Sequence, residues 1–193
     1  DSTSLLPDAD GSLWIGTLGS GLFNLRDGKL RAIPMASNGL DPRITCILDD
    51  GAGYLWLGTF NGICRLSKSE MNSQPSGENL SPLVLDQSDG LLTSECVLAG
   101  QPASWRGKDG TIWICTAAGI AKIIPTELTF NRVQAPVVIE DVATAGNSIM
   151  RNAGIAKAGP GRARLEFQFT ALSFSAPEKV RFRVRLEGLD DAW

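Results

Sequence analysis

One pattern recurs three times in this chain and constrains its fold more than any other feature. It reads Gly-x-Leu/Ile-Trp-Ile/Leu-Gly/Cys-Thr, with Gly-Leu/Ile following after two or three residues. The repeated positions are Trp14, Gly16, Thr17 and Gly21, then Trp56, Gly58, Thr59 and Gly62, then Trp113, Thr116 and Gly119, with Cys115 in place of the glycine. Trp14 and Trp56 are 42 residues apart, and Trp56 and Trp113 are 57 apart. The longer spacing fits an insertion over residues 67–81, a stretch rich in Ser, Asn, Pro and Gly.

Each copy has a physical reading. Asp and Gly ahead of the tryptophan form a turn, with Gly taking positive φ. Leu-Trp-Ile-Gly-Thr and its variants are short runs dense in apolar and β-favouring residues, which predicts strands buried on both faces. The glycine after Thr makes a hairpin turn, and further strands follow at 22–26, 63–67 and 120–124. Residues 43–48 form a strand ahead of Asp49-Asp50, and Leu5-Leu6-Pro7-Asp8 keeps the same offset before Trp14. Asn38-Gly39-Leu40 and Asp89-Gly90-Leu91 mark the junctions. About four short strands in roughly 42 residues is the content of a β-propeller blade, and no helical periodicity competes with it. The tryptophans are expected to pack between neighbouring blades.

Composition narrows the function. Of 193 residues, 43% are apolar and 20% charged, with 21 Gly, 5 Trp and no His. A chain without histidine has no Ser-His-Asp triad, Cys-His pair or histidine metal ligand. Residues 1–150 hold 10 Lys/Arg against 16 Asp/Glu, and residues 151–193 hold 8 against 5. Neither part is basic enough to suggest a nucleic-acid partner. No run approaches 18 apolar residues, so no membrane span is expected in this chain, and the first residues lack the pattern of a signal peptide. Cys46, Cys64, Cys96 and Cys115 form no CxxC pair. They read as small buried hydrophobes, with a disulfide as the alternative.

The remaining candidates favour structure over chemistry. Asp8-Ala9-Asp10-Gly11 opens like a calcium loop, but Gly19 stands where a bidentate Glu is needed, so it reads as a turn. Gly16, Gly19 and Gly21 follow a strand, yet no lysine or helix follows to cradle phosphate. Arg181, Arg183 and Arg185 alternate with Phe182, Val184 and Leu186 and read as a solvated strand face, with a carboxylate ligand or lipid headgroups as the alternative. Asn79-Leu80-Ser81 is formally a sequon and is set aside because Pro82 follows. No catalytic, cofactor-binding or metal-binding residues are assigned, and no residue identifies a ligand.

Residues 8–22, 49–63 and 107–120 resemble the two-component regulator propeller repeat, with Cys115 replacing the signature glycine. Residues 164–174 and 181–193 resemble the start of the three-tyrosine domain, a β-sandwich that usually follows such propellers. The first characteristic tyrosine falls at Val184 and is missing. On its own residues the second region is also β-rich. Leu165, Phe167 and Phe169 alternate with Glu166, Gln168 and Thr170, which predicts half-buried strands with one wet face.

The expected fold is all-β. About three four-stranded blades at the C-terminal end of a β-propeller occupy residues 1–133, and an incomplete Ig-like β-sandwich occupies residues 134–193. Three blades cannot close a ring, so both ends look cut, and self-association or dimerisation is expected.

The resemblance implies a non-catalytic, periplasmic ligand-sensing segment of a bacterial inner-membrane receptor. A small-molecule ligand, carbohydrate among the options, would bind, and the output would be a histidine kinase or, alternatively, a diguanylate cyclase. A propeller lyase or glycosidase and a WD40-like interaction scaffold are the competing readings.

Overall fold

The computed structural model describes residues 1–73, 80–98, 102–128, 135–144, 147–151, 164–173, 180, 182 and 184–188. Asn79, Arg181 and Arg183 lie outside these. The chain divides into two compact units, Asp1–Leu128 and Thr129–Trp193.

The first unit is built from up-and-down antiparallel sheets. Sheet one has β1 (Ser2–Pro7), β2 (Leu13–Thr17), β3 (Leu22–Arg26) and β4 (Lys29–Ile33), hydrogen-bonded in that order. Sheet two repeats it with β5 (Ile44–Asp49), β6 (Tyr54–Thr59), β7 (Gly62–Ser67) and β8 (Leu83–Leu85). Sheet three pairs β9 (Ser104–Arg106), β10 (Ile112–Thr116) and β11 (Gly119–Ile123), with β10 in the middle. It has three strands among the described residues, one fewer than the repeat predicts.

The three tryptophan strands hold equivalent places, each second in its sheet. The turns ahead of them depend on positive φ at Gly11, Gly53 and Gly110, which take 82°, 95° and 84°. Between sheets the chain makes short 3₁₀ turns at Ala36–Asn38 and Gln87–Asp89, each closed by a left-handed glycine, Gly39 and Gly90. These are the two Gly-Leu junctions of the sequence.

Two apolar layers hold this unit together. Trp14, Leu22 and Ile33 of sheet one pack with Leu55, Leu57 and Cys64 of sheet two. Trp56 and Ile63, on the opposite face of sheet two, pack with Ile112, Ile114 and Ile123 of sheet three. Sheet two is therefore covered on both sides, and Leu55, Trp56 and Leu57 are all fully buried. Burial of the tryptophan strand on both faces thus holds for β6 only. In β2, Leu13 and Ile15 are half-buried, and in β10 Trp113 is 37% exposed. Trp113 departs from the expectation that all three tryptophans pack between sheets, since among the described residues of the first unit no sheet lies over its face.

The insertion after β7 is not only loop. It opens with a short helix, α1 (Lys68–Ser73), which Ser67 Oγ caps by accepting from Glu70 N at 3.3 Å. Met71 anchors this helix by complete burial in the first apolar layer.

The second unit contains β12 (Val137–Thr144), β13 (Asn147–Arg151) and β14 (Leu165–Ala171), antiparallel with β12 in the centre. The alternation in β14 predicts one covered face, but Leu165, Phe167 and Phe169 are 38%, 43% and 36% exposed. The Phe182 ring meets Phe169 edge-on at 4.9 Å. Val142 is the buried hydrophobe of this unit among the described residues. A sandwich requires a second sheet over this row, and the described residues supply one sheet. Among the described residues, no helix is long and apolar enough to cross a membrane.

Candidate functional site

The signature residues fall into three structural roles. The first is an indole anchor. Trp14 Nε1 donates to Asp8 Oδ2 at 2.8 Å, and Trp56 Nε1 donates to Asp50 Oδ2 at 3.2 Å. In both copies the acid stands six residues before the tryptophan, on the turn that feeds the strand. Asp50, rather than Asp49, fills that place in the second copy. Its other oxygen also accepts from Ala52 N and Tyr54 N, which ties the turn to the indole. The third copy has Gly107 at this position, and Trp113 instead lies under Lys122, whose Nζ is 5.7 Å from the ring centroid.

The second role belongs to threonine and the later glycine. Thr17, Thr59 and Thr116 each donate a hydroxyl proton to the carbonyl of Gly21, Gly62 or Gly119, at 2.9, 2.7 and 3.0 Å. This bond closes the hairpin in all three copies. The third role is close approach. A Cβ on Gly16 would stand 2.8 Å from Ile44 Cγ2, and one on Gly58 would stand 2.7 Å from Cys46 Sγ and 3.1 Å from Cys96 Cβ. Cys115, the third equivalent, is half-buried.

The cysteines are reduced. Cys46, Cys64 and Cys96 are buried and Cys115 is half-buried. Burial pushes the Cys46 thiol up and drives Cys96 up to about 12, so both stay protonated and chemically quiet at neutral pH.

The charged groups near the tryptophan turns form a network. Lys68, from α1, reaches Asp8 at 2.9 Å and Asp49 at 2.7 Å, bridging the first turn of sheet one to β5 of sheet two. Burial acts to raise the Asp8 carboxyl. Hydrogen bonds from Lys68, Trp14 and Ala9 outweigh it and hold the group below the usual carboxylate range. Burial likewise acts to lower Lys68, and its bonds to Asp49 and Asp8 reverse that and raise it. The Asp10 and Asp109 carboxyls are also lowered, chiefly by bonds from Ser12 and Thr111 within their own turns. The four-residue opening 8–11 is thus a hydrogen-bonded turn with its carboxylates committed to Lys68, Trp14 and Ser12. Among the described residues, no group of three or more Cys, Asp or Glu is placed to hold a metal ion.

A candidate ligand site lies elsewhere, beside the first strands. β1 runs next to β5, and β5 next to β9. Both β1 and β5 shift register, between Ser2 and Ser4 and between Ile44 and Cys46. There Thr3 Oγ1 donates to Ile44 O at 2.6 Å, and Ser4 Oγ accepts from Ile47 N at 3.1 Å. Alongside these bonds is an open hollow of about 370 Å³ lined by Ser2, Thr3, Ser4 and Leu5. At the strand ends nearby, Arg43 grips Asp41 with two bonds of 2.9 and 2.6 Å and lies 4.9 Å over the Phe60 ring. The Thr3 and Ser4 hydroxyls and the Arg43 guanidinium are thus engaged within the fold, which leaves Ser2 as the exposed hydroxyl residue of the hollow. The sequence did not single out these residues, since serines and threonines at the chain start carry no motif.

Solved structures were compared with the chain. Virginiamycin B lyase from Staphylococcus aureus matches at 18% identity over 64% of this chain and 38% of its own, with a TM-score of 0.46. The extracellular domain BT4673 of B. thetaiotaomicron, from a one-component system, matches at 15% identity over 79% and 18%, with a TM-score of 0.45. The extracellular domain of the hybrid two-component system BT3049 from B. thetaiotaomicron matches at 16% identity over 91% and 30%, with a TM-score of 0.38. The chain thus spans less than two-fifths of each of these structures. No curated protein matches it in sequence. Among family models, that of the two-component regulator propeller matches residues 1–19 and 38–61, the segments that build the first two tryptophan hairpins.

Proposed function

We propose that this chain is a non-catalytic, ligand-sensing part of an extracytoplasmic receptor of the two-component type. The observation that carries this reading is the match of residues 1–19 and 38–61 to the two-component regulator propeller. In this reading residues 1–133 are the C-terminal blades of a propeller, and residues 134–193 begin a three-tyrosine sandwich that passes the signal toward a periplasm-facing membrane helix and a histidine kinase. The carboxylates of the tryptophan turns are occupied with turn and ion-pair bonds, which supports binding over acid–base chemistry. The hydroxyl-lined hollow beside β1 is the proposed ligand position, and a carbohydrate or similar polyol is the proposed ligand class. A signal requires that the ligand bind two conformations with different affinity.

The test is a thermal-shift screen of oligosaccharides and small polar metabolites on this chain, with Ser2→Trp as a control that fills the hollow. A ligand present at a hundredfold over its dissociation constant adds about 2.7 kcal/mol, which raises the midpoint by roughly 5–10 °C in a chain of this size. The Ser2→Trp variant keeps its own midpoint and loses the shift. A library that shifts neither protein removes the sensing reading, and a shift that survives Ser2→Trp removes the hollow.

A further inference from the structure

Seven aspartate or asparagine residues of this chain are followed by glycine: Asp10, Asp27, Asn38, Asp50, Asn61, Asp89 and Asp109. Glycine has no side chain to shield its amide. Its nitrogen can therefore turn on the carbonyl carbon of the preceding side chain and close a five-membered imide ring. Ring closure needs a glycine N–H that is free and a side-chain carbonyl group that can swing onto it. By sequence the seven pairs are equivalent, but in the fold they are not.

In six of the seven pairs the glycine N–H is already committed. Gly11, Gly39, Gly62, Gly90 and Gly110 donate to the main-chain carbonyls of Asp8, Ala36, Ser94, Gln87 and Gly107 at 2.8–3.1 Å. Gly51 donates to Asp49 Oδ1 at 2.8 Å. Most of the side chains are held as well. Asp10 and Asp109 each accept from the N–H and hydroxyl of the residue two places on, Ser12 and Thr111. These bonds hold both carboxyls below the usual range, so they stay ionised and carry no hydroxyl to leave. Asp50 accepts from Ala52 N and Tyr54 N, and Asp89 from Asp86 N at 2.9 Å. Asn38 donates to Pro34 O and accepts from Leu80 N.

Asp27-Gly28 differs in each respect. Cross-strand pairing of β3 and β4 ends at Arg26 and Lys29, so these two residues are a two-residue hairpin turn outside the ladder. Among the described residues, Gly28 N donates to no acceptor. The Asp27 side chain is 92% exposed and meets Arg26 Nε only at 4.0 Å. Asp27 also takes a φ of 49°, a left-handed conformation that no other non-glycine residue adopts among the described residues. We propose that Asp27 is the site of spontaneous isoaspartate formation in this chain. The Gly28 nitrogen bonds to Cγ of the protonated Asp27 carboxyl, the Cγ–OH bond breaks, and the amide proton and hydroxyl leave as water. Water then opens the ring at either carbonyl. Opening at the former main-chain carbonyl leaves the peptide bond on Cγ, so the backbone runs through Asp27 Cβ with no change in mass. The added carbon lengthens the turn and releases it from the left-handed conformation.

Peptide mapping of the whole chain tests this after the folded protein has aged for weeks in mildly acidic buffer. Isoaspartate is read by electron-transfer fragmentation, and by methyl transfer from labelled S-adenosylmethionine with an isoaspartyl methyltransferase. The folded chain is expected to hold more isoaspartate at Asp27 than at the other four Asp-Gly pairs together. The same chain aged in guanidinium chloride should hold comparable amounts at all five, because unfolding frees every glycine N–H. Asp27→Asn keeps the turn and replaces the carboxyl by an amide, so it should lose ammonia at position 27 before Asn38 or Asn61 does. An even distribution in the folded chain, or a maximum at any other pair, overturns the proposal. So does an absence of isoaspartate at Asp27 in the folded chain, or an Asp27→Asn chain that deamidates first at Asn38 or Asn61.

Discussion

At Lys68 a single ammonium holds together two turns that belong to different sheets, with Asp8 on one side and Asp49 on the other. Its side chain is 18% exposed and that of Asp8 is 9% exposed, so solvent screens the pair only in part. Lys68→Met keeps the aliphatic stem and removes the charge, and the expected loss is about 1–3 kcal/mol at pH 7. The pH dependence has a definite sign. Asp8 is lowered by folding, so its contribution is present above the ordinary carboxylate range and fades as pH falls through the lowered value. Lys68 is raised, so its contribution is complete below its ordinary value and fades only as pH rises beyond that. Urea midpoints of the two proteins should therefore differ by a constant amount from about pH 5 to pH 9 and converge in acid. A gap that persists unchanged at low pH would show that lost stem packing, and not the ion pairs, causes the destabilisation.

The same scale shows what a sequence can hide. The repeat displays Asp8 and Asp50 six residues before a tryptophan, and that spacing is visible in the chain. The partner Lys68 is not, because it comes from an insertion with no counterpart in the other copies and reaches its acids 60 and 19 residues away.

At the scale of elements, the strands were the most readable part of the chain. The runs around Trp14, Trp56 and Trp113 place β2, β6 and β10, and the Gly-Leu/Ile pairs place β3, β7 and β11. Period and turn chemistry are local, so they survive translation into structure. Burial is not local. Trp56 is fully buried and Trp113 is 37% exposed, although the two occupy the same place in the same repeat. The difference lies in what stands opposite: Ile112 and Ile114 cover Trp56, whereas among the described residues of the first unit Lys122 lies over the Trp113 ring. The consequence is measurable. Trp56→Ala should cost about 3–5 kcal/mol, as expected for a buried aromatic. Trp113→Ala in the monomeric chain should cost about 1 kcal/mol or less, since little cavity is left behind. Equal losses at the two positions in denaturant titrations would mean that Trp113 is covered in solution.

At the scale of the whole chain, the two units differ in how much apolar surface they bury. In the first, two layers enclose Trp14, Leu55, Leu57, Trp56 and Ile112 to 1% exposure or less. In the second, Val137, Val138 and Ile139 on β12 and Leu165, Phe167 and Phe169 on β14 are each more than one-third exposed, with Val142 the buried exception among the described residues. Period-two alternation made these strands legible, but alternation states only that a strand could cover one face, and the covering layer must come from elsewhere. Among the described residues no such layer stands over β12 and β14, and a small sheet so placed has little to oppose the entropy of its chain. Backbone amides in β12 and β14 should therefore exchange with solvent through low-energy local openings, while those in β6 and β7 wait for unfolding of the first unit. Hydrogen exchange followed by mass spectrometry should show roughly a hundredfold or greater difference in protection between the two sets. The 1–128 segment made alone should keep the protection of β6 and β7, because the described residues of its apolar layers lie within 1–128. Equal protection across both units would instead require a second apolar layer over Leu165, Phe167 and Phe169, which is the missing half of the sandwich that their alternation predicts.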